Sequence, residues 1–192
     1  MSDINQENVL KLLKESPVRV QSAVAGMVNV AKSIKWKTVA FIIPKNPEPS
    51  HRPRISGYRF YVPGAAKNQA FFNKYVLPEL KQLFISTPCK MNIDLYVQTP
   101  KSFSQAQKIL AEMRILRPWG NVGDVDNFAK TVMDCIQPNE KRGHVGILAD
   151  DSLVIDGYTR KYYSITPRTE VSISYMGKIP DTLKKILRIR DF

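Results

Sequence analysis

Residues 123–137 read Gly-Asp-Val-Asp-Asn-Phe-Ala-Lys-Thr-Val-Met-Asp-Cys-Ile-Gln, and residues 148–158 read Leu-Ala-Asp-Asp-Ser-Leu-Val-Ile-Asp-Gly-Tyr. In the first stretch Phe128, Ala129, Val132, Met133 and Ile136 recur at helical spacing, so residues 126–137 are the strongest helix of the chain, stopped by Pro138-Asn139. In the second, an acidic pair precedes a strand that runs over residues 153–164. Residues 123–158 carry Asp124, Asp126, Asp134, Glu140, Asp150, Asp151 and Asp156 against Lys130, Lys141 and Arg142, a net charge of −4. The whole chain is +12, so everything outside this island amounts to +16. A basic surface would draw in a polyanion, and the carboxylates would hold metal ions where its phosphates arrive.

The other elements extend outward from that pair. Strands are expected at 38–44, 56–62, 90–98 and 169–176. Helices are expected at 65–84, despite Pro78, and at 103–116. The order β-β-α-β-(α)-α-β-β predicts an α+β domain over residues 36–180, with helices packed on one face of a mixed β-sheet. Residues 1–35 (amphipathic at 4–15, weaker at 18–35) form an accessory N-terminal helical segment. Residues 181–192 form a basic C-terminal tail whose leucines and isoleucines suggest packing.

The length of 192 residues fits one domain plus a terminal segment, and 43% apolar content supports a core. The pI near 9.7 points to nucleic acid first and an anionic membrane surface second; the bland alternative is a basic surface with no such partner. No apolar run reaches the ~18 residues of a membrane span, and Met1-Ser-Asp-Ile-Asn-Gln-Glu is not a signal peptide, which predicts a cytoplasmic protein. Cys89 and Cys135 have no metal or disulfide spacing, and Cys135 reads as a buried free thiol.

Asp124 or Asp126 could simply cap the helix, but one cap does not account for both. Asp126, Lys130 and Asp134 share a helix face, where a solvated i,i+4 charge ladder is the competing reading, preferred for Asp134. If the 153–164 strand lies beside the helix N-terminus, Asp124, Asp126, Asp150 and Asp151 converge, and their repulsion calls for cations. Hard oxygen ligands suit Mg²⁺ or Mn²⁺, and Lys130 could stabilise transition-state charge. An EF-hand begun at Asp124 fails at Phe128, Ala129 and Cys135. An Asp-x-Asp sugar transferase would need a larger nucleotide-binding domain. No glycine-rich phosphate loop is present, so no organic small-molecule cofactor is expected.

Asp124-Val-Asp126-Asn127-Phe-Ala-Lys130-Thr-Val-Met-Asp134, followed by Asp150-Asp151-Ser-Leu-Val, strongly resembles the RusA family of Holliday-junction resolvases. Upstream, Ile43-Pro-Lys-Asn-Pro, Arg52-Pro-Arg54 and Tyr61-Val-Pro are similar to the family's proline- and arginine-rich segment, so the resemblance spans residues 38–176. It implies a homodimeric, Mg²⁺-dependent endonuclease that resolves four-way DNA junctions by paired nicks in recombination, repair or phage DNA processing. It makes Asp124, Asp126 and Asp151 the metal-binding acids, with Asp150 a further ligand, and Lys130 the essential lysine. The chain departs from some relatives at Trp119-Gly-Asn-Val-Gly, where they carry a run of bases, and at Ser102-Phe-Ser104-Gln-Ala-Gln-Lys108. Residues 139–146 lengthen the loop between the acidic motifs.

Candidate phosphate contacts are Lys45, Arg52 and Arg54, weighed against an ordinary solvated basic loop, together with Lys130, Arg160 and Lys161. His51 and His144 read as exposed loop residues. Tyr58, Phe60 and Tyr61 read as strand core. Trp36 and Trp119 could stack on unpaired bases, with core-edge packing favoured for Trp36. The rival functions are a non-catalytic branched-DNA binder, a flap or fork nuclease, and a nucleotidyl transferase.

Overall fold

The computed structural model describes residues 3–50, 54–56, 59–61, 64–80, 83–120, 122–177, 179 and 181. They divide into two compact units, one comprising Met1–Trp36 with Met176–Asp191 and the other Lys37–Tyr175. In the first, α1 (Asp3–Glu15) and α2 (Val18–Ser33) are separated at Ser16-Pro17, and no residue of α2 is buried. The basic tail over 181–192 lies outside the described residues apart from Asp181. Among the described residues no helix is long and apolar enough to cross a membrane.

The larger unit is α+β. A mixed sheet has the order β1-β6-β4-β5, with β1 at Trp36–Ile43, β4 at Cys89–Gln98, β5 at Val154–Ser164 and β6 at Arg168–Met176. β4 runs parallel to β5 and antiparallel to β6. β4 alternates as its sequence predicts: Cys89, Met91, Ile93, Leu95 and Val97 are buried. They join Phe41 of β1, Val171 and Ile173 of β6, Phe72 and Val76 near α3 (Ala65–Tyr75), and Phe128, Val132, Cys135 and Ile136 of α5 (Val125–Ile136) in one core. Burying one large apolar side chain of this kind contributes about 1.5–3 kcal/mol. The helical layer on this face is therefore α3 and α5. α4 (Gln105–Glu112), started by a capping box between Ser104 and Gln107, sends the arginines that follow it to the opposite face.

Two expected elements are broken. The 65–84 helix stops at Tyr75 and becomes a 3₁₀ turn over Leu77–Leu80, because Pro78 lacks an amide proton and disfavours helical backbone at the residue before it. The single strand expected over 56–62 is a hairpin of β2 (Arg54–Ser56) and β3 (Arg59–Tyr61), forming its own two-stranded sheet. The side chains of Arg54, Phe60 and Tyr61 and all of His51, Arg52 and Tyr58 lie outside the described residues.

His144 is buried, not exposed as its loop composition suggests. The loop after α5 folds back through reciprocal Asn139–His144 backbone bonds, placing Nε2 2.6 Å from the Cys135 carbonyl and Nδ1 2.8 Å from Asn73 Oδ1. The Cys135 carbonyl can only accept, so Nε2 carries the proton; in the neutral ring Nδ1 is then an acceptor, satisfied when the Asn73 amide turns its NH₂ toward it. Burial pushes the imidazole below its ordinary value of 6.5, and the bond to Cys135 partly opposes this. The unfolded chain therefore binds the proton first on acidification. The stability tied to neutral His144 is complete above about pH 6.5 and falls as the pH drops below it. Urea unfolding at pH 7.5 and 5.5 should show a loss on acidification that is smaller in His144→Gln; an equal loss would assign the acid sensitivity elsewhere. Both cysteines are free and buried, and burial pushes Cys89 up to about 11 and Cys135 to about 12.

Candidate functional site

Asp124 is the N-cap residue of α5, yet its side chain makes no capping hydrogen bond and is exposed. The simple capping reading thus fails for this residue, and its carboxylate is left facing solvent. The backbone before it is held from two sides. Gly123 adopts φ +100°, and a Cβ there would sit 3.1 Å from Pro49 and 3.2 Å from the Phe128 ring, so glycine lets the Pro49 loop close onto the helix start. Lys161, on β5, donates from Nζ to the Gly123 carbonyl at 2.6 Å. Lys161, expected as a phosphate contact, is thereby tied to the backbone just before Asp124. Sequence spacing gives no sign of a contact spanning 38 residues.

Asp126 and Lys130 are exposed on α5. Asp126 borders an open cleft of about 670 Å³ between α5 and β5, whose walls include Met91, Ile93, Ala129, Met133 and Ile155. Asp150 accepts from the Ser152 amide at 2.9 Å and so caps the short 3₁₀ turn Asp151–Leu153; Asp151 is exposed at the start of that turn. Asp156, in the same cleft, pairs with Lys90 at 2.9 Å. The Lys90 hydrogen bond, then the Gly157 amide, hold its carboxyl below the usual range.

The expected convergence of four carboxylates is not found within the chain. β5 does lie beside α5 but runs the opposite way. The Ile147 and Leu148 amides donate to the Ile136 carbonyl, so the segment leading to Asp150-Asp151 passes the C-terminal end of α5. Lys161, seven residues beyond the start of β5 and hence roughly 23 Å along it, reaches the N-terminal end. A lysine side chain extends far less than that, so the two acidic pairs lie at opposite ends of α5. Among the described residues no group of three or more His, Cys, Asp or Glu side chains is arranged to hold a metal ion.

Two of the other candidate phosphate contacts, Lys45 and Arg160, have internal partners. Lys45 lies 3.2 Å from Glu48 and 2.6 Å from Asn68 Oδ1. Arg160 makes a two-pronged contact with Asp94, at 2.9 and 3.3 Å, and lies 3.8 Å above the Tyr158 ring. Trp119 is 85% exposed and Trp36 41%.

Two comparisons bear on this arrangement. Uncharacterized protein YqaN of Bacillus subtilis (strain 168) is 34% identical over 143 residues, covering 70% of this chain and 94% of that protein. Residues 44–174 match the family model described as Endodeoxyribonuclease RusA, a span that contains both acidic pairs, Lys130, α5 and β5. With its helix–strand acidic motif inside a matched region covering most of the sequence, the chain belongs to the RusA family of endodeoxyribonucleases, a membership that implies an endonuclease acting on Holliday junctions.

Proposed function

We propose that this protein is a cytoplasmic, divalent-metal-dependent resolvase of four-way DNA junctions, that it acts as a homodimer, and that each active site takes acids from both copies. The observation that carries the reading is the placement of the two acidic pairs at opposite ends of α5, beside an open, largely apolar cleft at the edge strand β5. A two-fold axis through that cleft and perpendicular to α5 would set the second α5 antiparallel to the first. Asp124 and Asp126 of one copy would then face the partner subunit's Asp150 and Asp151, twice over. The same contact would cover the outer edge of β5, Val125 and Ile155, the last of which is 58% exposed.

The donor set fits a hard cation. Asp124, Asp126 and Asp151 present exposed carboxylate oxygens, and Asp124 is not engaged in capping. These residues, with Asp150, would hold Mg²⁺, or Mn²⁺ in its place; bound there, such an ion supplies charge neutralisation and a more acidic water. Lys130, one turn beyond Asp126, offers its ammonium to the charge that accumulates on the phosphate as the bond breaks. Lys161 and Gly123 hold the Asp124 backbone so that this charge meets a fixed ligand geometry.

The direct test is cleavage of an end-labelled synthetic four-way junction in Mg²⁺, beside linear duplex of matched sequence, for wild type and Asp126→Asn. Paired nicks on the junction that disappear in the variant, while junction binding remains, are expected. Tight binding with no cleavage in Mg²⁺ or Mn²⁺ would instead make the protein a branched-DNA binder, and preferred cutting of flaps or forks would change the substrate.

A further inference from the structure

The face of the sheet opposite the core carries a cluster that the acidic site does not use. Tyr96 on β4 and Tyr162 on β5 are register partners, their rings 5.4 Å apart and stacked at 28°. Both are nearly buried, at 7% and 2% exposure, beneath guanidinium groups. Arg114 Cζ lies 4.7 Å and Arg117 Cζ 4.8 Å from the Tyr162 centroid, and Arg168 Cζ lies 3.8 Å from that of Tyr96. Arg114 also donates from Nη2 to the Tyr96 hydroxyl at 3.1 Å.

The charges in this cluster are not balanced. Arg168 is paired with Glu170 at 2.7 Å. Arg114 and Arg117 have no carboxylate within ion-pair distance among the described residues, yet they share one ring. Covering an aromatic surface does not require two like charges. The left-handed backbone of Arg114, φ +63°, closes α4, with the Arg114 and Ile115 amides donating to the Ala111 and Leu110 carbonyls, and this turn brings Arg114 and Arg117 over the same ring. Two guanidinium centres within 4.8 Å of one ring centroid concentrate N–H donors at one place on the surface, an arrangement suited to an oxyanion. Arg114 and Arg117 are both exposed, and Trp119 stands free two residues farther on.

From this we infer that Arg114 and Arg117, stacked on Tyr162 and Tyr96, form a phosphodiester-binding site that grips the backbone of a DNA arm away from the acidic pairs. The inference rests on the DNA substrate of the reading above, but not on cleavage, metal or dimerisation. Its test is fluorescence anisotropy of a labelled linear duplex in EDTA, across a NaCl series, for wild type, Arg117→Gln and the double variant Arg114→Gln/Arg117→Gln. Beyond its stacking on Tyr162 the exposed Arg117 side chain makes one long hydrogen bond, at 3.4 Å to the Arg114 carbonyl, so the single variant should stay folded with a melting temperature within a few degrees of wild type, roughly the worth of one exposed cation–π contact. Each lost phosphate contact should lower the slope of log K against log salt by about 0.9, with an affinity loss of roughly three- to tenfold at low salt per arginine. An unchanged slope in folded Arg117→Gln, with or without a change in affinity, would overturn the site while leaving the resolvase reading intact. Failure of the wild type to bind any DNA would overturn both. If the double variant unfolds, the single variant decides.

Discussion

An equimolar mixture of Asp126→Asn and Asp151→Asn proteins should nick four-way junctions, although neither protein alone does. Replacing a carboxylate by an amide keeps the side-chain shape and removes a charge that a hard cation needs, so each variant alone should lose on the order of 10³-fold or more in cleavage rate. In a site shared between copies, the mixed dimer combines both substitutions in one site and leaves the other wholly wild type. Random assortment makes half of the dimers mixed, so about one quarter of all sites are intact. The products should be single nicks, because no dimer in the mixture has two working sites. Were each site built within a single chain, every site in the mixture would carry a substitution and no activity would return. The experiment requires unfolding and refolding the mixture, or co-expression, so that subunits exchange. A four-way junction with labels on two opposing strands distinguishes single from paired cuts. Recovery of nicks at a substantial fraction of the wild-type rate would support the two-copy site; absence of recovery would remove it and leave the acids to be reconciled with a different arrangement of one chain.

That test depends on a feature only partly legible in the sequence. The helix itself was readable, because Phe128, Ala129, Val132, Met133 and Ile136 form one apolar stripe, and α5 begins within a residue of the expected start. β4 was equally clear from its alternation. Periodicity marks which residues face the core, but it carries no information on which way a following strand returns. The direction of β5 against α5 is set by the 137–153 connection, where Ile147 and Leu148 fold back onto the Ile136 carbonyl. The same fold-back buries His144, whose polar Asn-Glu-Lys-Arg-Gly approach reads as an exposed loop. The Lys161–Gly123 bond and the arginines over Tyr96 and Tyr162 are likewise long-range pairings between residues unremarkable in their own segments. The types of the acids pointed to their chemistry; their meeting place depended on topology.

Gly157→Ala should be among the most destabilising single methyl additions in the protein. Gly157 has φ +146° and sits on β5 opposite Met91 of β4, two residues beyond a register shift at Cys89/Lys90. A Cβ at this position would penetrate the Met91 carbonyl oxygen and approach its carbon to 2.7 Å. Both are main-chain atoms of the central strand, so no side-chain rotation relieves the overlap. Either β5 moves away, breaking ladder hydrogen bonds, or Gly157 leaves its conformation; a cost of about 3–5 kcal/mol is the scale for such combined strain. For a chain of this size that corresponds to a fall in melting temperature of roughly 6–20 °C. Gly26→Ala in α2 is the control. Its added Cβ meets nothing within 4 Å, and helix propensity favours alanine over glycine by about 1 kcal/mol, so its stability should hold or rise. Thermal unfolding followed by circular dichroism separates the two. The functional consequence follows from the same geometry: Gly157 lines the α5–β5 cleft, and displacement of β5 would shift both the Asp151 end of the strand and the Lys161 contact that holds Asp124. Any Gly157→Ala protein that still folds should therefore lose junction cleavage more than it loses binding to linear duplex. Wild-type stability and cleavage in this variant would show that β5 accommodates a side chain there and would undo the argument that this strand is held rigidly against β4.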